Sequence, residues 1–118
     1  MSKIDYKSAG VDIDAGNRVV EQIKDSVKST FSKNVLTGLG SFGSLYDLKP
    51  LLKKYENPVL VQSIDGVGTK TIIARKLKKF NTIGIDLLSA CANDILVMGA
   101  RPITFLDYIA NEKLYPDV

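Results

Sequence analysis

Between residues 15 and 31, apolar side chains return every fourth position: Val19, Ile23, Val27 and Phe31, with Val20 beside them. Arg18, Lys24, Asp25 and Lys28 fill the remaining face. That period predicts an amphipathic helix over 15–31, with Asp14 as its N-cap. Because the stripe drifts slowly around the axis, the helix should dock obliquely on a sheet or another helix. The β-branched run Val59-Leu60-Val61 predicts a strand over 59–64, and the pattern from Lys70 onward predicts a helix over 69–79. After Asn81-Thr82-Ile83-Gly84, the stretch 85–98 is apolar nearly all the way round, so it reads as a helix buried on several sides, closed by Gly99. Arg101-Pro102 opens a last strand over 103–110: Ile103, Phe105, Asp107 and Ile109 share one face, and Thr104, Leu106 and Tyr108 the other.

Between these elements the pattern is weaker. Residues 1–13 read as polar and irregular. Three glycines at 38, 40 and 43 mark a loop, Ser41–Asp47 a short strand, and Leu48–Tyr55 a short helix starting near Pro50, stopped by Asn57-Pro58. Pro116 suits the first turn of a helix that has barely begun, which suggests a truncated domain.

Composition narrows the function classes. At 118 residues, 45% hydrophobic and 25% charged, the chain has the make-up of one globular domain. A net charge of +3 is too small to argue for nucleic acid, and Arg75-Lys76-Lys78-Lys79 reads as the solvated face of a helix. With no histidine, neither a histidine zinc site nor a serine–histidine triad can be built. Cys91 is the only cysteine and lies in an apolar run, so packing explains it better than nucleophilic chemistry, and a reducing cytoplasm is expected. No signal peptide is evident, and no apolar run approaches the ~20 residues that span a bilayer.

The chemistry concentrates in Ser63-Ile-Asp-Gly-Val-Gly-Thr-Lys-Thr71. Strand, glycine turn and helix N-terminus together present free N–H groups and a dipole that favours an anion, and Asp65 can carry the counter-cation, most often magnesium. The alternative is a tight turn with Lys70 in solvent. A Walker P-loop is excluded, because Thr69 rather than glycine precedes Lys70. Asn93-Asp94, inside the apolar helix, is either a metal site or an internal hydrogen bond or ion pair, with Lys24 or Lys70 as partner. Asp107 is a third carboxylate in apolar surroundings. The 38–43 loop either approaches a ligand closely or simply connects its neighbours.

These blocks, in this order, resemble the N-terminal part of the phosphoribosylformylglycinamidine cyclo-ligase (aminoimidazole ribonucleotide synthetase) family. The carriers are Tyr6-Lys-Ser-Ala-Gly-Val-Asp-Ile-Asp-Ala-Gly-Asn17, Gly38-Leu-Gly-Ser-Phe-Gly43, Asp65-Gly-Val-Gly-Thr-Lys70, Gly84-Ile-Asp86, Asn93-Asp94, and Gly99-Ala-Arg-Pro102 leading to Phe105-Leu-Asp-Tyr108. The resemblance implies an α/β (α+β) fold. Residues 1–118 would be a truncated N-terminal ATP-binding domain, its mixed or antiparallel sheet having helices on one face. The resemblance implies that such sheets would pair into a barrel across a homodimer, and that the family's second, C-terminal domain would be missing.

The implied reaction is ATP-dependent closure of formylglycinamidine ribonucleotide to aminoimidazole ribonucleotide, releasing ADP and phosphate, in purine biosynthesis. The resemblance further implies that Asp65 and Asp94, with Asp107 a weaker third, hold Mg2+. Lys24 and Lys70 would neutralise phosphate, and Gly66, Val67, Gly68 and Thr69 would offer backbone donors. Gly38, Gly40 and Gly43 would close over nucleotide, with Asn93 nearby. No general base is implied within these residues, and the chain alone is expected to be inactive. The alternatives are another ATP-dependent enzyme of the same superfamily, such as a thiamine-monophosphate kinase or selenophosphate synthetase, or a non-catalytic module that dimerises.

Overall fold

The computed structural model describes residues 5–118, which form two compact units: 5–58 with Ala110–Val118, and Val59–Ile109. In the first unit, helix α1 spans Ile13–Ser29. Its cap is Asp12 rather than Asp14. Asp12 is extended (φ −95°, ψ 98°), and its Oδ1 accepts the Ala15 N–H at 2.9 Å, satisfying one of the unpaired donors of the first turn. Asp14 sits inside that turn, where its charge favours the dipole. Of the predicted stripe, Val19 and Val27 are half-buried while Ile23 and Phe31 stay exposed.

After α1, Asp47 N–H donates to the Asn34 carbonyl at 2.7 Å and Leu36 N–H to the Leu45 carbonyl at 2.8 Å. The buried Asn34 returns its Nδ2–H to the Asp47 carbonyl at 3.0 Å. The result is a single antiparallel bridge, Val35 with Tyr46, in place of the strand expected over 41–47. Helix α2, Lys49–Leu52, is one turn with Pro50 near its start, where a missing N–H costs nothing.

In the second unit, α3 spans Lys70–Leu77 and α4 spans Ile83–Val97, and the two helices touch. Lys78 ends α3 in the left-handed conformation (φ 51°), an arrangement glycine usually supplies. Gly99 (φ +75°) follows α4; its N–H donates to the Leu96 carbonyl at 2.9 Å, and Ala100 N–H to that of Ile95 at 3.0 Å. No residue of α4 is buried, contrary to the expectation from its apolar girdle.

The strands expected over 59–64 and 103–110 form no ladder, and no sheet or barrel is present among the described residues. A strand is stabilised by a neighbour that takes up its N–H and C=O groups, and neither segment has one here. The same deficit appears in the side chains. Ala15 and Ala74 are the only buried hydrophobic residues among those described, whereas Val59, Ile64, Val97 and Tyr108 are almost fully exposed. The accessible surface is 10544 Å², against about 6,300 Å² for a typical folded monomer of this mass. Apolar side chains are therefore left with faces to cover. No helix among the described residues is long and apolar enough to cross a membrane.

The Asp12 cap has a pH signature. Its pKa is held below the ordinary carboxylate value of about 3.9 by the Ala15 N–H, with help from Lys7 at 3.5 Å. A depressed folded pKa contributes stability that is present above that ordinary value and lost as pH falls through the folded one. Carboxyl NMR titration should thus place Asp12 below the ordinary carboxylate value, and Asp12→Asn should remove the part of the α1 acid transition that lies below about pH 3.9.

A candidate phosphate and metal site at the turn into α3

The turn is built by its own backbone. Asp65 Oδ1 accepts the Gly66 N–H at 2.7 Å, and Gly68 takes φ +65°, swinging the chain into α3. A Cβ on Gly68 would meet nothing within 4 Å, so the dihedral, not the space, demands glycine there. Beyond it, Thr71 N–H folds back on the Gly68 carbonyl (3.3 Å) and Ile72 N–H on that of Thr69 (3.0 Å). The N–H groups of Val67, Gly68, Thr69 and Lys70 donate to no acceptor among the described residues. Four consecutive free donors therefore stand at the positive end of an eight-residue helix.

Two side-chain links join this turn to α4. Ser63 Oγ donates to Asp94 Oδ2 at 2.8 Å. Lys70 Nζ lies 3.2 Å from Asp86 Oδ1 in the first turn of α4. Asn93 and Asp94 are exposed, which corrects the expectation of a buried pair. The partner of Asp94 is a serine hydroxyl and neither Lys24 nor Lys70, because Asp86 takes Lys70 and Glu21 takes Lys24. Neither Ser63 nor Asp86 was given a role by sequence pattern. The available signals were the first-turn position of Asp86 and the location of Ser63 two residues before Asp65.

Asp65 and Asp94 each commit one carboxylate oxygen and keep the other free, and magnesium is ordinarily held by one or two carboxylates together with phosphate oxygens and water. Among the described residues no three ligating side chains converge, so Asp107, exposed in the stretch after Pro102, does not complete a three-carboxylate cluster.

The remaining expected site residues lie in the first unit. Lys24, on α1, is paired with Glu21 at 3.0 and 3.1 Å. Gly38, Gly40 and Gly43 occupy the loop closed by the Leu36–Leu45 bond and by Leu45 N–H donating to Thr37 Oγ1 at 2.9 Å. Gly40 is left-handed (φ +94°), and Phe42 beside it is fully exposed.

Residues 49–118 match the family model described as "AIR synthase related protein, N-terminal domain". The chain is also similar to proteins named phosphoribosylformylglycinamidine cyclo-ligase. It is 57% identical over 109 residues to that of Xylella fastidiosa, covering 92% of this chain and 30% of the relative. It is 53% identical over 115 residues to that of Leptospira interrogans, covering 98% and 33%, and 54% identical over 112 residues to that of Brevibacillus brevis, covering 95% and 32%. The chain thus spans about a third of the length of these relatives.

The turn geometry separates its two central glycines. Gly68→Ala should lower unfolding free energy by about 1–2 kcal/mol, since alanine must be held left-handed. Gly66→Ala, at a residue without positive φ, should cost less; urea unfolding of the two variants checks the order.

Proposed function

The chain belongs to the AIR synthase related family through its N-terminal domain, and from that premise we propose that it forms part of the Mg-ATP site of a phosphoribosylformylglycinamidine cyclo-ligase. The observation that carries this reading is the row of free N–H groups from Val67 to Lys70 at the head of α3. A triphosphate supplies the acceptors this row lacks, and the Lys70 ammonium adds a point charge beside it.

In this reading Asp65 and Asp94 hold magnesium; Asp107, the weaker third candidate, is not gathered with them among the described residues. The ion would neutralise phosphate charge there. Asn93 and Lys24 assist at the phosphates, and the glycine loop from Gly38 to Gly43 closes over the nucleotide. The activity served is the ATP-dependent ring closure of formylglycinamidine ribonucleotide to aminoimidazole ribonucleotide, a ligase step of purine biosynthesis in the cytoplasm. Phosphorylating the amide oxygen turns it into a leaving group, and an amidine nitrogen then displaces it to close the imidazole. Positioning and charge neutralisation dominate such chemistry, so a chain without histidine can serve it. Residues 1–118 would then be part of the ATP-binding domain, unable to complete turnover alone.

Homodimerisation completes the reading. The extended segments 59–64 and 103–110, with Val59, Ile64, Leu106 and Tyr108 exposed, would pair into a sheet that closes as a barrel against a second copy. Sedimentation should return twice the chain mass, and Leu106→Lys should shift the species toward monomer. A monomer at all accessible concentrations would count against the barrel.

Calorimetry tests the site. Magnesium-dependent ATP binding should weaken at least about tenfold in Asp65→Asn and in Asp94→Asn, while the weak magnesium-free binding stays unchanged. Equal weak binding with and without magnesium in all three proteins would sink the assignment.

A further inference from the structure

Lys70 occupies a position that elementary electrostatics disfavours. It is the first residue of α3, where the helix dipole is positive and a cation is repelled. A positive residue at a positive helix end needs an anion to hold it, and Asp86 supplies one from the first turn of α4, where a carboxylate is itself favoured. The Nζ–Oδ1 separation is 3.2 Å. The ammonium has three donors and this contact uses one; the Lys70 side chain remains 60% exposed, so two donors stay available to solvent or ligand.

We propose that Asp86 is the positioning residue for Lys70, fixing its ammonium beside the free N–H groups of Val67 to Lys70. This rests on the phosphate-site reading above and adds to it a residue that contacts no phosphate. The physical gain is preorganisation. A lysine carries four rotatable bonds, and ordering such a side chain on binding is costly; Asp86 imposes that order beforehand. An exposed pair of this kind contributes little to folding, so the effect belongs in nucleotide affinity rather than in stability.

A double-mutant cycle on the full chain separates the possibilities, with Mg-ATP binding read by calorimetry and folding by urea unfolding. Asp86→Asn should weaken Mg-ATP about two- to tenfold with little change in the unfolding midpoint, and Asp86→Glu, which keeps the carboxylate, should restore most of that loss. In a Lys70→Ala background Asp86→Asn should have no further effect, because its influence passes through Lys70. If Lys70→Ala weakens binding and Asp86→Asn does not, or if the two effects add, the positioning role is overturned and the phosphate site stands. If Lys70→Ala itself leaves Mg-ATP binding unchanged, or the unsubstituted chain binds none, both this role and the phosphate reading fall.

Discussion

At Gly68 the backbone takes a left-handed turn that only glycine adopts without strain, and the second unit is arranged around that turn. It starts α3 at Lys70 and leaves four backbone donors in a row with no protein acceptor among the described residues. Unpaired N–H groups are tolerated at a helix start only where water or a ligand can reach them, so the turn has to stay open. The links around it use none of these four donors: Asp65 closes onto Gly66, Ser63 ties to Asp94, and the Lys70 side chain ties to Asp86. The Ser63 and Lys70 links both run to α4, so this helix carries the partners of the turn.

A second constraint follows from how little is buried. Two alanines make up the buried hydrophobic residues described, in a chain that is 45% hydrophobic. At roughly 25 cal/mol per Å² of apolar surface removed from water, large exposed residues such as Ile64, Val97 and Tyr108 represent stabilisation not yet realised. The unpaired extended segments state the same deficit in hydrogen bonds. Pairing of these segments with another strand would relieve both.

Local chemistry was legible in the residues themselves. The period of Val19, Ile23 and Val27 gave α1 to within two residues at each end, and Gly66 and Gly68 before Lys70 marked the turn and the start of α3. These follow from interactions spanning one or two helical turns, which a sequence window contains. The α1 cap was misplaced because Asp12 and Asp14 are both good caps, and only the extended backbone of Asp12 decides between them.

Tertiary structure decided the rest. That α4 is exposed depends on what lies against it, which no periodicity encodes, and its apolar girdle records a demand for burial rather than its fulfilment. Segments 59–64 and 103–110 have strand composition, yet pairing is a property of two segments and no partner is present among the described residues. The partners of Lys70 and Asp94 were equally out of reach. Several carboxylates could have met Lys70 and several donors Asp94, and a contact between Ser63 and Asp94, 31 residues apart, exists only once the turn and α4 are set side by side.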